Sequence, residues 1–261
     1  MYPILFTIPG IDYPISSFGV MMALGFLTAY WMTVRELPSK GINPEVGSTL
    51  LMWIMIGGVL GSKLYFAFDM HLRTGEAFTS FLFRRDGITW YGGLIGGTLS
   101  GMLCCYLNGI SIRRVMEAAA PSCAVGQSMG RIGCFLVGDD YGRASDLPWA
   151  VAFPEGAPPV DHPVHPTQLY EVAWLLPIAA VLHMRRKRSP FLFGEYLVAN
   201  GAGRVAIETM RLNPKVALGL TEPQWIGLGL VVIGAGSWLH FRAKDRREAA
   251  HPAARDAVRS R

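Results

Sequence analysis

Apolar runs of about twenty residues, the length an α-helix needs to cross the hydrocarbon of a bilayer, recur near 15–34, 48–68, 88–108, 115–137, 167–184, 191–210 and 222–241. Lipid offers no water to satisfy backbone N–H and C=O groups, so runs of this length are expected to fold as helices. Composition agrees: 51% of the 261 residues are hydrophobic, only 16% are charged, and the mean hydropathy is +0.30. Such a chain is too apolar for an ordinary soluble domain. It reads as an all-α, polytopic integral membrane protein of about seven transmembrane helices. The fourth and sixth runs are the weakest, because each contains an arginine.

Lys and Arg set the expected orientation. With the C-terminus cytoplasmic, fifteen basic residues fall inside, among them Arg35, Lys40, Arg113, Arg114, the run Arg185 to Arg188 and seven in the tail. Six fall outside: Arg73, Arg84, Arg85, Arg143, Arg211 and Lys215. The asymmetry predicts the N-terminus outside and the C-terminus in. The net charge of +5 is thereby a topology signal and gives no reason to expect a nucleic-acid partner. No linker or internal repeat divides the chain, so residues 1–241 are expected to form a single transmembrane domain and 242–261 a basic cytoplasmic tail. The first residues, MYPILFTIPGIDYPISS, lack the basic, apolar and small-residue zones of a removable signal peptide, and the first span is expected to act as the targeting signal. Cys104, Cys105, Cys123 and Cys134 all fall inside predicted spans without zinc-like or disulfide-like spacing. Neither metal nor cofactor is expected.

Glycines crowd the second, third and fourth spans, with Gly57, Gly58 and Gly61, then Gly92, Gly93, Gly96, Gly97 and Gly101, then Gly126, Gly130 and Gly133. Small residues four apart predict close helix packing. The longest polar piece, 138–166, is rich in Gly, Pro and Asp and is expected to be an irregular outside loop. Its segment LPWAVAFP is the one part suited to a short strand or to covering the mouth of a cavity.

Two arginines point to function. Arg131 and Arg204 lie within predicted spans, and a charge at membrane depth is unfavourable unless paired or hydrated, so it marks a polar cavity or a structural ion pair such as Arg204 with Glu208. Arg131, Asp139, Asp140 and Arg143 form one charged group; Arg204, Glu208 and Arg211, at spacings of four and seven, form a second on one helical face. His165, Gln168, Tyr170 and Glu171 form a third, where the loop enters the fifth span. Arginine suits bidentate recognition of phosphate or carboxylate, so an anionic ligand is expected.

The motifs YGGLIGG (91–97), GRIGCFLVGDDYGR (130–143), HPTQLYE (165–171) and GRVAIETMR (203–211), with FGVMMALGF (18–26) before them, resemble those of the bacterial prolipoprotein diacylglyceryl transferases in order and spacing. The resemblance covers nearly the whole chain. It implies a seven-span enzyme of the inner (cytoplasmic) membrane that transfers the diacylglyceryl group of phosphatidylglycerol to the lipobox cysteine thiol of a preprolipoprotein, releasing glycerol 1-phosphate. It also implies that Arg131 binds phosphatidylglycerol, that Arg204 is the second essential arginine, and that Glu208 is its acidic partner. Arg143, Asp139 and Gln168 are expected beside Arg131 in lipid binding. The chain departs from the family at Tyr91, where a histidine proposed as the base is common, and at Cys134, Asp139, Phe18 and Asn200. Tyr91, or alternatively His165, is therefore expected to take the thiol proton. A transporter or flippase for an anionic lipid or metabolite, with both arginines lining a pathway, is the competing class, and the lack of a repeat weighs against it. A non-catalytic membrane scaffold, with the arginines in structural ion pairs, is the third.

Overall fold

The structure, a computed structural model, describes residues 2–10, 12–84, 87 and 89–250. Arg85, Arg255, Arg259 and Arg261, used above for orientation, lie outside them. Each of the seven apolar runs forms a long helix: α1 (Ser17–Glu36), α2 (Val46–Thr74), α4 (Trp90–Leu107), α5 (Ile112–Val137), α6 (Thr167–Arg185), α7 (Leu192–Glu208) and α8 (Glu222–Ala250), with a short α3 (Phe78–Leu82) between α2 and α4. Among the described residues, three helices are long and apolar enough to cross a membrane: Ser17–Lys40, which includes the 3-10 turn after α1, Val46–Thr74 and Glu222–Ala250. The others are shorter or carry charge. α7, for example, has 17 residues and includes Glu195, Arg204 and Glu208. α8 continues without a break past 241, where the tail was expected to begin.

Among the described residues, three antiparallel hairpins accompany the helices: β1 (Ile4–Ile8) with β2 (Tyr13–Ser16), β3 (Val151–Phe153) with β4 (Val160–Val164), and β5 (Lys215–Ala217) with β6 (Leu220–Thr221). The second contains the LPWAVAFP segment, which does pair as a short strand, so the 138–166 stretch is more ordered than a plain loop. Phe153, fully buried, stacks on Tyr141 at 5.5 Å and meets the edge of Phe135. The first and third hairpins had no counterpart in the sequence reading.

The chain forms two compact units, Met1–Met32 with Ala119–Arg261, and Thr33–Ala118. In the second, α2 and α4 pack through their glycines: a Cβ on Gly61 would collide with the Gly92 carbonyl oxygen, and one on Gly96 with that of Gly57. Close backbone approach of this kind is the expected consequence of small residues at four-residue spacing. Ser100 Oγ also donates across this pair, to the Trp53 carbonyl at 2.7 Å. In the first unit, α7 and α8 use the same device at seven-residue spacing, with Gly194 against Gly234 and Gly201 against Gly227. Its apolar core joins Ala120 and Ala124 of α5, Leu175, Ala179 and Leu182 of α6, and Leu192 and Tyr196 of α7.

Candidate active site

Backbone hydrogen bonds stitch together three segments that are far apart in sequence, all in the first unit. Gly142 N–H donates to the His165 carbonyl (2.9 Å), His165 N–H to that of Arg143 (3.0 Å) and Arg143 N–H to that of Met210 (2.8 Å). Gly142 and Arg211 form an antiparallel bridge. Only glycine fits this crossing: a Cβ at 142 would lie 2.5 Å from the Met210 carbonyl oxygen and 2.9 Å from both His165 Cβ and Thr167 Cγ2. The first turn of α6 fixes the adjoining loop. Thr167 Oγ1 donates to the Asp140 carbonyl at 2.7 Å, and the Gln168 side-chain amide donates to that of Asp139. Asp140 is thus held at φ 61°, a left-handed conformation that Asp and Asn tolerate better than most residues.

The stitch gathers three arginines and three carboxylates. Glu171, on α6 and only 5% exposed at its side chain, is the hub: Oε2 lies 2.7 Å from Arg131 Nε, and Oε1 lies 2.9 Å from Arg204 Nη1 and 3.4 Å from Arg211 Nη1. Asp140 Oδ2 pairs with Arg131 Nη1 at 2.7 Å, and Oδ1 pairs with Arg211 Nη2. Glu208 Oε2 stands 3.7 Å from both Arg204 Nη2 and Arg211 Nε. Its Oε1 accepts from Asn213 Nδ2 at 2.5 Å and Thr221 Oγ1 at 3.1 Å, which ties the site to the β5–β6 hairpin. Opposite charges in equal number let the cluster be buried at all, since an unpaired ion there carries a desolvation cost of several kcal/mol.

The structure brings Arg131, Arg204 and Glu208 together, with Asp139 and Gln168 alongside, but redistributes their partners. Arg204 pairs closely with Glu171, not with Glu208 one turn along its own helix. Arg143 contributes only backbone: its side chain is exposed and, among the described residues, makes no ion pair. Gln168 is fully buried, with Nε2 committed to the loop and Oε1 unpartnered, so its contacts hold the loop. His165 Nδ1 lies 3.1 Å from the Tyr170 hydroxyl, which accepts from Trp149 Nε1 at 2.8 Å; among the described residues no side-chain bond joins it to an arginine. Tyr91 is in the first turn of α4, in the Thr33–Ala118 unit, and is partly buried.

Glu171 as hub is the residue the sequence reading undervalued. The signal was present: arginines within apolar runs need carboxylate partners nearby, and Glu171 is one of few acidic residues flanked by an apolar run. A second polar set continues along α7 at the same four-residue spacing. Tyr196 hydroxyl donates to Gln127 Oε1 (3.0 Å), and Gln127 Nε2 donates to Asn200 Oδ1 (3.2 Å). Between α6 and α7 runs an apolar groove of about 490 Å³ lined by Trp174, Pro177, Ile178 and Val181, with Arg185 and Glu195 also in its wall. Trp174 also borders a small pocket where Glu171, Asn200 and Arg204 meet Leu175 and Ile207.

Electrostatics favour anions here. Burial would raise the Asp140 carboxyl, but Arg211 and Arg131 outweigh it and hold Asp140 below the usual carboxylate range. Burial pushes Asp139 above that range despite a hydrogen bond with the Cys134 thiol and the nearby Arg131. Cys134, Asp139 and Asp140 bring one atom each within 4.8 Å of one another. A cation there would nonetheless face the two guanidiniums already bound to Asp140. The donor set fits a phosphate or carboxylate ligand.

Residues 3–240 match the prolipoprotein diacylglyceryl transferase family. Similar proteins include phosphatidylglycerol–prolipoprotein diacylglyceryl transferases of Gloeobacter violaceus, 30% identical over 95% of this chain and 96% of the relative, and of Clostridium tetani, 32% identical over 90% and 95%. A third, from Photobacterium profundum, is 32% identical over 82% of both chains.

Proposed function

This chain belongs to the prolipoprotein diacylglyceryl transferase family, and on that premise we propose how its residues carry the family reaction: transfer of the diacylglyceryl group from phosphatidylglycerol to the lipobox cysteine thiol of a preprolipoprotein. The observation that carries the reading is the convergence of Arg131, Arg204 and Arg211 around Glu171, beside an apolar groove. A phospholipid has the matching form, an anionic head on apolar chains.

The thiol sulfur attacks the phosphate-bearing carbon of the diacylated glycerol. A C–S bond forms, the C–O bond breaks, and its electron pair leaves on glycerol 1-phosphate. Negative charge grows on the departing phosphate, where fixed guanidiniums stabilise it most. Arg131 holds the phosphate, and Arg204, oriented by Glu171 and Glu208, takes up the developing charge. Asp139 and Gln168 keep the loop that carries Asp140 in register, and Arg143 ties that loop to the segment after α7. The thiol proton passes to the phenolate oxygen of Tyr91, with an unprotonated ring nitrogen of His165 as the alternative acceptor. At an ordinary phenol pKa of about 10, little phenolate is present at neutral pH, so a basic Tyr91 depends on nearby positive charge.

We propose that the chain crosses the bacterial inner membrane seven times, with the N-terminus outside and the C-terminus cytoplasmic. The basic-residue asymmetry supports that orientation. Expression of this chain in cells depleted of their own transferase tests the function directly. Restored lipoprotein maturation is expected, and persistent accumulation of unmodified precursor at normal protein levels would contradict it.

A further inference from the structure

Asp140 occupies the place between two guanidiniums that an anionic ligand would take. One carboxylate oxygen is 2.7 Å from Arg131 Nη1 and the other pairs with Arg211 Nη2, as two non-bridging phosphate oxygens would. It differs from the other two carboxylates of the cluster. Glu171 and Glu208 sit on helices with side chains 5% and 0% exposed, whereas Asp140 sits on a loop and is 43% exposed. With Glu171 and Glu208 in place and Asp140 withdrawn, the three arginines retain one positive charge, which matches the single negative charge of a phosphodiester.

We propose that Asp140 is an internal competitor for the phosphate position: it neutralises Arg131 and Arg211 in the lipid-free state, yields to the incoming phosphodiester, and returns to displace the phosphate-bearing product. The identity of the lipid rests on the transferase reading, but the exchange itself requires only a phosphate. The product helps its own departure. A phosphate monoester carries up to two charges near neutral pH, more than the single positive charge it meets, so the returning carboxylate restores the balance.

The test is anion binding by the full chain in detergent, without turnover, using glycerol 1-phosphate and inorganic phosphate as probes. Asp140→Asn keeps the side-chain shape and suits the left-handed backbone. Removing the competing charge should tighten both anions by roughly tenfold or more, deepen inhibition by glycerol 1-phosphate, and lower KM for phosphatidylglycerol. Asp140→Gly, also suited to positive φ, should behave alike and serves if the Asn variant folds poorly. Asp140→Glu, still anionic, should keep the weak binding of the wild type. Unchanged or weaker binding in the Asn and Gly variants would overturn the proposal, because a carboxylate that only orients the arginines helps anions to bind. A parallel transfer assay with lipobox peptide separates the two claims. Tighter anion binding without lipid-modified peptide from any form would sink the transferase reading and leave the exchange standing. Normal transfer with unaltered anion affinity would do the reverse.

Discussion

Glu171 Oε2 lies 2.7 Å from Nε of Arg131, so a carboxylate in the second turn of α6 neutralises the arginine that α5 carries into its apolar run. The same carboxylate reaches Arg204 and Arg211 through Oε1, so among the described residues Glu171 is the anion shared by all three guanidiniums. Glu171→Gln would leave buried positive charge without its partner, a loss of about 3–5 kcal/mol for pairs of this kind. A lower Tm in detergent and a lower membrane yield are expected, with transfer lost as well. A Tm equal to that of the wild type would show that the pairing contributes little to stability.

Distances rank the partners of Arg204. Glu171 is at 2.9 Å and Glu208 at 3.7 Å, so a double-mutant cycle should give a larger coupling for Arg204–Glu171 than for Arg204–Glu208. Equal couplings would mean that the two carboxylates share the arginine evenly. Glu208→Gln should still lower folding yield, since Oε1 accepts from Asn213 and Thr221.

Gly142 carries the stitch between the three motifs. Gly142→Ala should push the Met210 and His165 segments apart, because its Cβ would sit 2.5 Å from the Met210 carbonyl oxygen. Overpacking of this sort costs about 1–3 kcal/mol. Transfer activity should fall far more than helix content measured by circular dichroism, and wild-type activity would show that the crossing can relax at no functional cost.

The seven long helices were legible as apolar runs of about twenty residues, because a helix of that length satisfies its own backbone hydrogen bonds while burying apolar side chains. The α2–α4 glycine contact was legible for a related reason, since the four-residue spacing of Gly57 and Gly61 places both on one helix face. The hub was not. Glu171 meets Arg131 and Arg204 across 40 and 33 residues of sequence, and helical spacing reports only neighbours on the same helix, which is why Glu208 looked like the natural partner of Arg204. The exposed side chain of Arg143 was hidden for the same reason: its motif fixed the backbone position, and the side-chain direction followed from bridging contacts with Met210 and His165.

Protonation of the cluster has a defined direction. The Asp140 carboxyl is held below its ordinary value, so the stability it contributes is complete above the unfolded aspartate pKa of about 3.9 and is lost only as pH falls through the lower folded value. Asp140→Asn should therefore flatten the acid limb of a Tm-versus-pH curve. An acid limb identical to that of the wild type would remove Asp140 from the charge balance.

Proton removal separates Tyr91 from His165. If Tyr91 is the base, Tyr91→Phe should slow transfer by about 10²-fold or more and alter the pH–rate profile, the usual scale for losing general base catalysis. If the profile and rate of Tyr91→Phe match the wild type while His165→Gln loses activity on that scale, the base is His165.

The central claim is that the arginine cluster holds the phosphate of phosphatidylglycerol while the diacylglyceryl group moves to a thiol. It is tested most directly by incubating the purified chain with phosphatidylglycerol and a lipobox peptide and following peptide mass together with released glycerol 1-phosphate. The wild type should yield diacylglyceryl-thioether peptide and glycerol 1-phosphate in equal amounts. Arg131→Ala, at matched folded protein, should yield neither, and Arg131→Lys should be poor because a point charge does not reproduce the guanidinium fork. Wild-type turnover by Arg131→Ala, or no modified peptide from the wild-type chain, would contradict the account.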